Sequence, residues 1–66
     1  MDYIDNILDA IRNVINTQTL DDNTKRNVRE TKGQLVHDYP NRRDYIESVF
    51  NNICQERGIS PTIFNE

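Results

Sequence analysis

The sequence predicts an all-α protein, a small three-helix bundle with a short C-terminal helical turn. Apolar residues recur every three or four positions in two long stretches, which is the spacing of a helix face and not of a strand. Aspartate, asparagine, proline and glycine stand where helices would begin and end. The chain has 66 residues, 35% of them hydrophobic, which is enough for one small core. A single helical domain spanning residues 1–66 is therefore expected.

The first helix is predicted over about residues 2–16. Asp2 is expected to cap it, and Asp5 lies in the first turn, where the helix dipole favours a carboxylate. With Asp9, these residues are predicted to form an acidic, solvated face. The opposite side carries a continuous apolar stripe made of Ile4, Ile7, Leu8, Ile11, Val14 and Ile15.

The second helix is predicted over about residues 20–39 and is expected to be the weakest of the three. Residues 19–22 have the form of a capping box, although Asp21 or Asp22 could cap equally well. Gly33 costs about 1 kcal/mol relative to alanine inside a helix. The apolar stripe is thin and consists of Val28, Leu35, Val36 and Tyr39.

The third helix is predicted over about residues 42–57 because Pro40 must end the second one. Asn41 is the expected N-cap, with Asp44 three residues further on. Gly58 is expected to close the helix in the left-handed conformation. A second strong stripe lies between these ends and consists of Tyr45, Ile46, Val49, Phe50, Ile53 and Cys54.

The C-terminal tail is predicted to form one helical turn over about residues 60–65, because Ser60 precedes Pro61. Its two large apolar residues, Ile63 and Phe64, indicate that the tail docks either on the bundle or on a partner.

The inventory of reactive groups predicts a protein that is not an enzyme and binds no cofactor or metal. Cys54 is the only cysteine, which excludes an internal disulfide, and with His37 it gives too few ligands for zinc. We expect Cys54 to be a small buried hydrophobe and His37 to be solvated. No segment is apolar or basic enough for a membrane span or signal peptide, which predicts a cytoplasmic protein without a membrane partner.

The net charge of −3 conceals a basic middle segment. Residues 1–24 carry −4, residues 25–43 carry +4 and residues 44–66 carry −3. Surface ion pairing between helices accounts for this pattern most simply. The candidate residues for binding an anion or a nucleic acid are Lys25, Arg29, Lys32, Arg42 and Arg43.

Two stretches resemble parts of helix-turn-helix proteins. The second helix, a short turn and the third helix, which opens on Arg42 and Arg43, resemble the motif loosely. Residues 52–62 (NICQERGISPT) resemble the first helix and turn of repressor-type domains. This resemblance implies a nucleic-acid-binding transcriptional regulator, which is one of the alternative functions.

The predicted function is that of a small non-catalytic protein-binding module, self-associating as a homodimer. Frequent asparagine and isoleucine indicate an AT-rich genome. Short acidic helical proteins without catalytic groups are common among phage and mobile-element products that modulate a host protein, and a phage assembly protein is a further alternative. The predicted contact residues, each of which would also suit a core, are Ile4, Ile11, Tyr45, Phe50 and Phe64.

Overall fold

The chain folds into three α-helices and two short 3-10 turns in the computed structural model, which describes residues 2–65. The helices are α1 (Tyr3–Thr17), α2 (Asp22–Asp38) and α3 (Arg43–Arg57). The 3-10 turns cover Pro40–Arg42 and Pro61–Phe64. The described residues contain no strand, and the predicted all-α fold with its C-terminal turn is confirmed.

The core is supplied mainly by α1 and α3, as the uneven apolar stripes predict. Each of these helices buries four side chains, whereas α2 buries only Val28 and Leu35. No polar or charged side chain of the described residues is buried. The complete set of buried residues is Ile4, Leu8, Ile11, Ile15, Val28, Leu35, Ile46, Phe50, Ile53, Cys54 and Phe64. The thin stripe of α2 therefore covers only part of the apolar surface that α1 presents.

Aspartate carboxylates cap the first two helices. Asp2 accepts a hydrogen bond from the backbone N–H of Asp5 at 2.9 Å, which confirms the predicted cap of α1. Asp21 accepts one from the backbone N–H of Thr24 at 2.8 Å. The second helix accordingly begins at Asp22, two residues after the predicted start, and one of the alternative caps is the one used.

Removing the Asp21 carboxylate is expected to destabilise α2 in a pH-dependent way. Hydrogen bonds from Thr24 hold the pKa of Asp21 below its usual value. A lowered pKa means that the charged cap stabilises the fold above the pKa of the unfolded chain, and that this stabilisation is lost as the pH falls through the folded pKa. Asp21→Ala should lower the melting temperature at neutral pH, measured by circular dichroism.

Asp21→Asn is the matched control because asparagine caps a helix without a charge. The wild type should melt above this variant at neutral pH, and the two curves should converge in acid. Parallel pH profiles for the two proteins would contradict a charged cap at this position.

The start of α3 differs from the prediction. Asn41 lies inside a 3-10 turn and is not the N-cap, and α3 begins at Arg43 with no side-chain cap. The reason is that Pro40 starts a tight turn directly after α2, in which the backbone N–H of Arg42 donates to the carbonyl of Tyr39 at 2.9 Å. This turn carries the chain into α3 without the extended residue that a side-chain cap requires.

The end of α3 and the C-terminal turn follow the prediction. Gly58 has φ 75°, the left-handed conformation, and the backbone N–H of Ile59 donates to the carbonyl of Cys54 at 3.0 Å. Phe64 is buried with its ring against that of Phe50, the centroids lying 5.4 Å apart. The tail therefore docks on the bundle, which is one of the two sites predicted for it. Among the described helices, none has the length and apolarity needed to cross a membrane.

Candidate functional site

The predicted contact residues lie mostly inside the bundle. Four of them fill its core, namely Ile4, Ile11, Phe50 and Phe64. Tyr45 alone among the five is accessible, with 40% of its surface exposed. The spacing of a stripe shows which side chains share a face, but it does not show whether the chain itself or a partner covers that face. A surface that a partner can reach therefore involves other residues.

All three tyrosines gather at one end of the bundle, where α1 and α3 begin and α2 ends. Tyr3 is 60% exposed and Tyr39 is 37% exposed, and their ring centroids lie 6.2 Å apart. The Tyr45 hydroxyl donates a hydrogen bond to Asp5, which raises the pKa of Tyr45. The guanidinium of Arg42 lies 4.8 Å from the centre of the Tyr45 ring. The result is a cluster of exposed aromatic rings, which we call the tyrosine end.

A groove runs from the tyrosine end between α1 and α2. It consists of two adjoining depressions that share Thr31, a larger one of about 280 Å³ and, further along, a smaller one of about 110 Å³. The α1 wall consists of Tyr3, Ile7, Ala10 and Val14, apart from the core residue Ile11. The α2 wall, apart from the core residues Val28 and Leu35, consists of Asn27, Glu30, Thr31, Gln34 and Asp38. We call this feature the α1/α2 groove.

The groove exists because the facing surfaces of the two helices do not match. Ile7 and Val14 are half-buried against the core, and Ala10 between them is exposed. The α2 residues that face them are mostly polar, so they leave this edge of the α1 stripe open to solvent. The groove thus has an apolar α1 wall and a polar α2 wall.

The charged groups of the groove are both acidic. Glu30 and Asp38 line the larger depression, where the Gln34 side chain donates a hydrogen bond to Asp38 at 3.0 Å. Neither carboxylate takes part in an ion pair among residues 2–65. By contrast, every acid that does form an ion pair lies elsewhere on the bundle: Asp2, Asp9, Asp22, Glu47 and Glu56.

Three of the five predicted anion-binding residues have an acidic neighbour within the chain. Lys25 lies 3.7 Å from Asp22, Arg42 lies 3.8 Å from Asp2, and Lys32 pairs with Glu47. Exposed pairs of this kind contribute about 0–1 kcal/mol each. Of these pairs, Lys32–Glu47 joins α2 to α3, as the predicted pairing between helices requires, whereas Lys25–Asp22 lies within α2.

The other two, Arg29 and Arg43, line one cleft of about 230 Å³ between α2 and α3, together with the Lys32–Glu47 pair. The apolar side chains of that cleft include Phe50 and Phe64. Three of the five predicted basic residues therefore have an acidic neighbour, and one of these three, Lys32, shares a cleft with Arg29 and Arg43.

Comparisons with protein-family models, with curated proteins and with solved structures found no match to this chain. The candidate functions therefore rest on the surfaces of the bundle itself.

Sequence reasoning missed Tyr3 entirely and treated Tyr39 only as a member of the α2 stripe. Both stand at helix ends, Tyr3 as the first residue of α1 and Tyr39 directly after α2. One signal could have found them: tyrosine is enriched at protein interfaces, and these two residues flank the predicted helix boundaries.

The two most reactive side-chain types occupy contrasting places. Cys54 is fully buried in α3, and its burial raises the pKa of the thiol. His37 is exposed near the end of α2. Both positions agree with the prediction that Cys54 packs as a small hydrophobe and that His37 is solvated.

Cys54 is expected to react with an aromatic disulfide reagent only when the protein unfolds. Burial hides the sulfur, and the raised pKa further reduces the fraction of the reactive thiolate. The labelling rate should therefore rise with urea in parallel with the unfolded fraction, both followed on the same samples.

A matched control places a cysteine at an exposed position of the same helix, with Ser48→Cys in a Cys54→Ala background. This protein should be labelled immediately in native buffer. Equally fast labelling of the native wild type would show that Cys54 is accessible.

Proposed function

We propose that this protein is a non-catalytic protein-binding module whose partner docks in the α1/α2 groove. The observation that carries the proposal is the open apolar edge of α1, which runs beside an otherwise closed core. Contiguous accessible apolar surface is typical of interaction sites.

The composition of the groove also suits a protein interface. Tyrosine supplies a large contact area at a low cost in side-chain entropy. Tyr3 lines the groove, and its ring centroid lies 6.2 Å from that of Tyr39. Ile7 and Val14 make the α1 wall aliphatic, and Gln34 and Asp38 make the α2 wall polar. Protein interfaces likewise have an apolar centre and a polar edge.

We propose a regulatory role in the cytoplasm, as a phage or mobile-element product that modulates a host protein and needs no cofactor. Self-association into a homodimer is part of the same proposal and is tested by sedimentation.

Blocking the groove is expected to abolish partner binding without unfolding the protein. Ala10→Arg places a long charged side chain at an exposed position of the apolar edge. In affinity capture from a lysate of the cell that expresses the gene, a protein retained by the wild type should be lost from this variant. Circular dichroism should show unchanged helicity.

Asn51→Arg is the matched control because it adds the same side chain at an exposed position of α3, outside the groove. It should retain the partner as the wild type does. Retention of the same protein by all three baits, or loss from both variants, would count against a binding site in the groove.

Nucleic-acid binding is the second candidate function, and the cleft shared by Arg29 and Arg43 favours it. It predicts binding to duplex DNA that weakens steeply with salt and is reduced in Arg29→Gln. No binding at low salt would exclude this candidate.

A further inference from the structure

We infer that the occupant of the α1/α2 groove is a single amphipathic helix of a partner protein, with lysine or arginine beside its apolar stripe. This inference rests on the function proposed above and specifies the chemistry of the partner.

The shape of the groove favours a helix. Its α1 wall follows one line along the helix, through Tyr3, Ile7, Ala10 and Val14. The spacing of four, three and four residues is that of one helix side. This line extends over about 16 Å, which matches about three turns of a docked helix. An extended peptide usually binds by adding to a sheet edge, and the described residues contain no strand that could offer one.

The charge of the groove favours a basic helix. Glu30 and Asp38 are exposed on its α2 wall and have no ion-pair partner among residues 2–65. They are eight residues apart on α2, which corresponds to about 12 Å along the helix. Two basic side chains about two turns apart on the docked helix would reach both carboxylates. Complementary charges of this kind select the partner and speed its association.

The same charges disfavour a second copy of this chain in the groove. A symmetric dimer places the same patch of both subunits face to face. Glu30 and Asp38 of one copy would then lie near those of the other, and like charges in contact oppose association. The predicted homodimer would therefore have to use a different surface.

The test uses two synthetic peptides of about 18 residues, which is long enough to form helix on binding. Both have the same leucine stripe, flanked by lysine in one and by glutamate in the other. Each is titrated into the full chain at low salt, and backbone amide resonances are followed by NMR. The lysine peptide should shift the amides of Ala10, Thr31 and Gln34, and should bind at least about tenfold more tightly than the glutamate peptide.

Charge reversal in the protein provides the second arm. The double variant Glu30→Lys, Asp38→Lys should reverse the preference between the peptides. The control double variant Asp44→Lys, Glu56→Lys changes the net charge by the same amount at exposed positions of α3 and should keep the wild-type preference. Circular dichroism confirms that each variant is folded.

Each contrary result has a distinct meaning. Equal binding of both peptides in the groove would overturn the basic partner and leave the proposed function intact. Shifts confined to other surfaces, or no shifts at all, would overturn the helix site, while capture with Ala10→Arg independently tests whether a protein binds there. A dimer in sedimentation that Ala10→Arg dissociates would show that a second copy is the occupant and overturn the inference.

Discussion

Phe50→Ala should remove a large part of the free energy of unfolding of the protein. Phe50 is only 1% exposed; its ring packs against Phe64 and lies beneath the Lys32 ammonium, 4.9 Å from the ring centre. Removing a buried phenylalanine costs about 3–5 kcal/mol. A domain of this length has a total stability of roughly 3–10 kcal/mol, at about 0.05–0.15 kcal/mol per residue. Urea unfolding followed by circular dichroism measures the loss.

Two control variants separate the loss of core packing from the loss of an aromatic ring. Phe50→Leu keeps most of the volume and should cost less than about 1.5 kcal/mol. Tyr3→Ala removes an exposed ring and should change the free energy of unfolding by no more than about 0.5 kcal/mol. If Phe50→Ala unfolded at the same urea concentration as the wild type, α3 could not be packed as described.

The elements that the sequence predicted well are those in which several local signals agree. The first helix combines a continuous stripe with the Asp2 cap, and the third ends at Gly58 in the expected left-handed conformation. The start of α3 was mispredicted because Asn41 satisfies the local preference for a cap, whereas the tight turn from Pro40 depends on how α2 meets α3. Capping preference describes one helix end and carries no information about the preceding turn.

The candidate site was much less predictable than the fold. Ile4 and Ile7 belong to the same predicted stripe, yet the first is fully buried and the second lines the groove. The difference depends on where α2 crosses α1, which a periodic pattern does not encode. The contact between Tyr3 and Tyr39 likewise forms only when the start of one helix meets the end of another.

Phe64→Ala is expected to lower the free energy of unfolding by about 3 kcal/mol and to release the C-terminal turn. Phe64 is 2% exposed and is the only buried residue of Pro61–Phe64. The hydrogen bonds of this turn are local, such as that from the Ile63 N–H to the Ser60 carbonyl at 3.2 Å. Without the buried ring, little would hold the turn on the bundle. Urea unfolding measures the stability, and hydrogen exchange at Ile63 measures the release.

The same variant distinguishes two roles that the sequence allows for Phe64. Substituting a core residue lowers the free energy of unfolding, whereas substituting a partner contact weakens partner binding. Ile63→Ala is the control. Because Ile63 is only half-buried, this substitution should lower the free energy of unfolding much less. Combining Phe64→Ala with Phe50→Leu should give a cost smaller than the sum of the two single costs, because the rings are in contact. A Phe64→Ala protein of unchanged stability that no longer captured its partner would instead identify this ring as part of the interface.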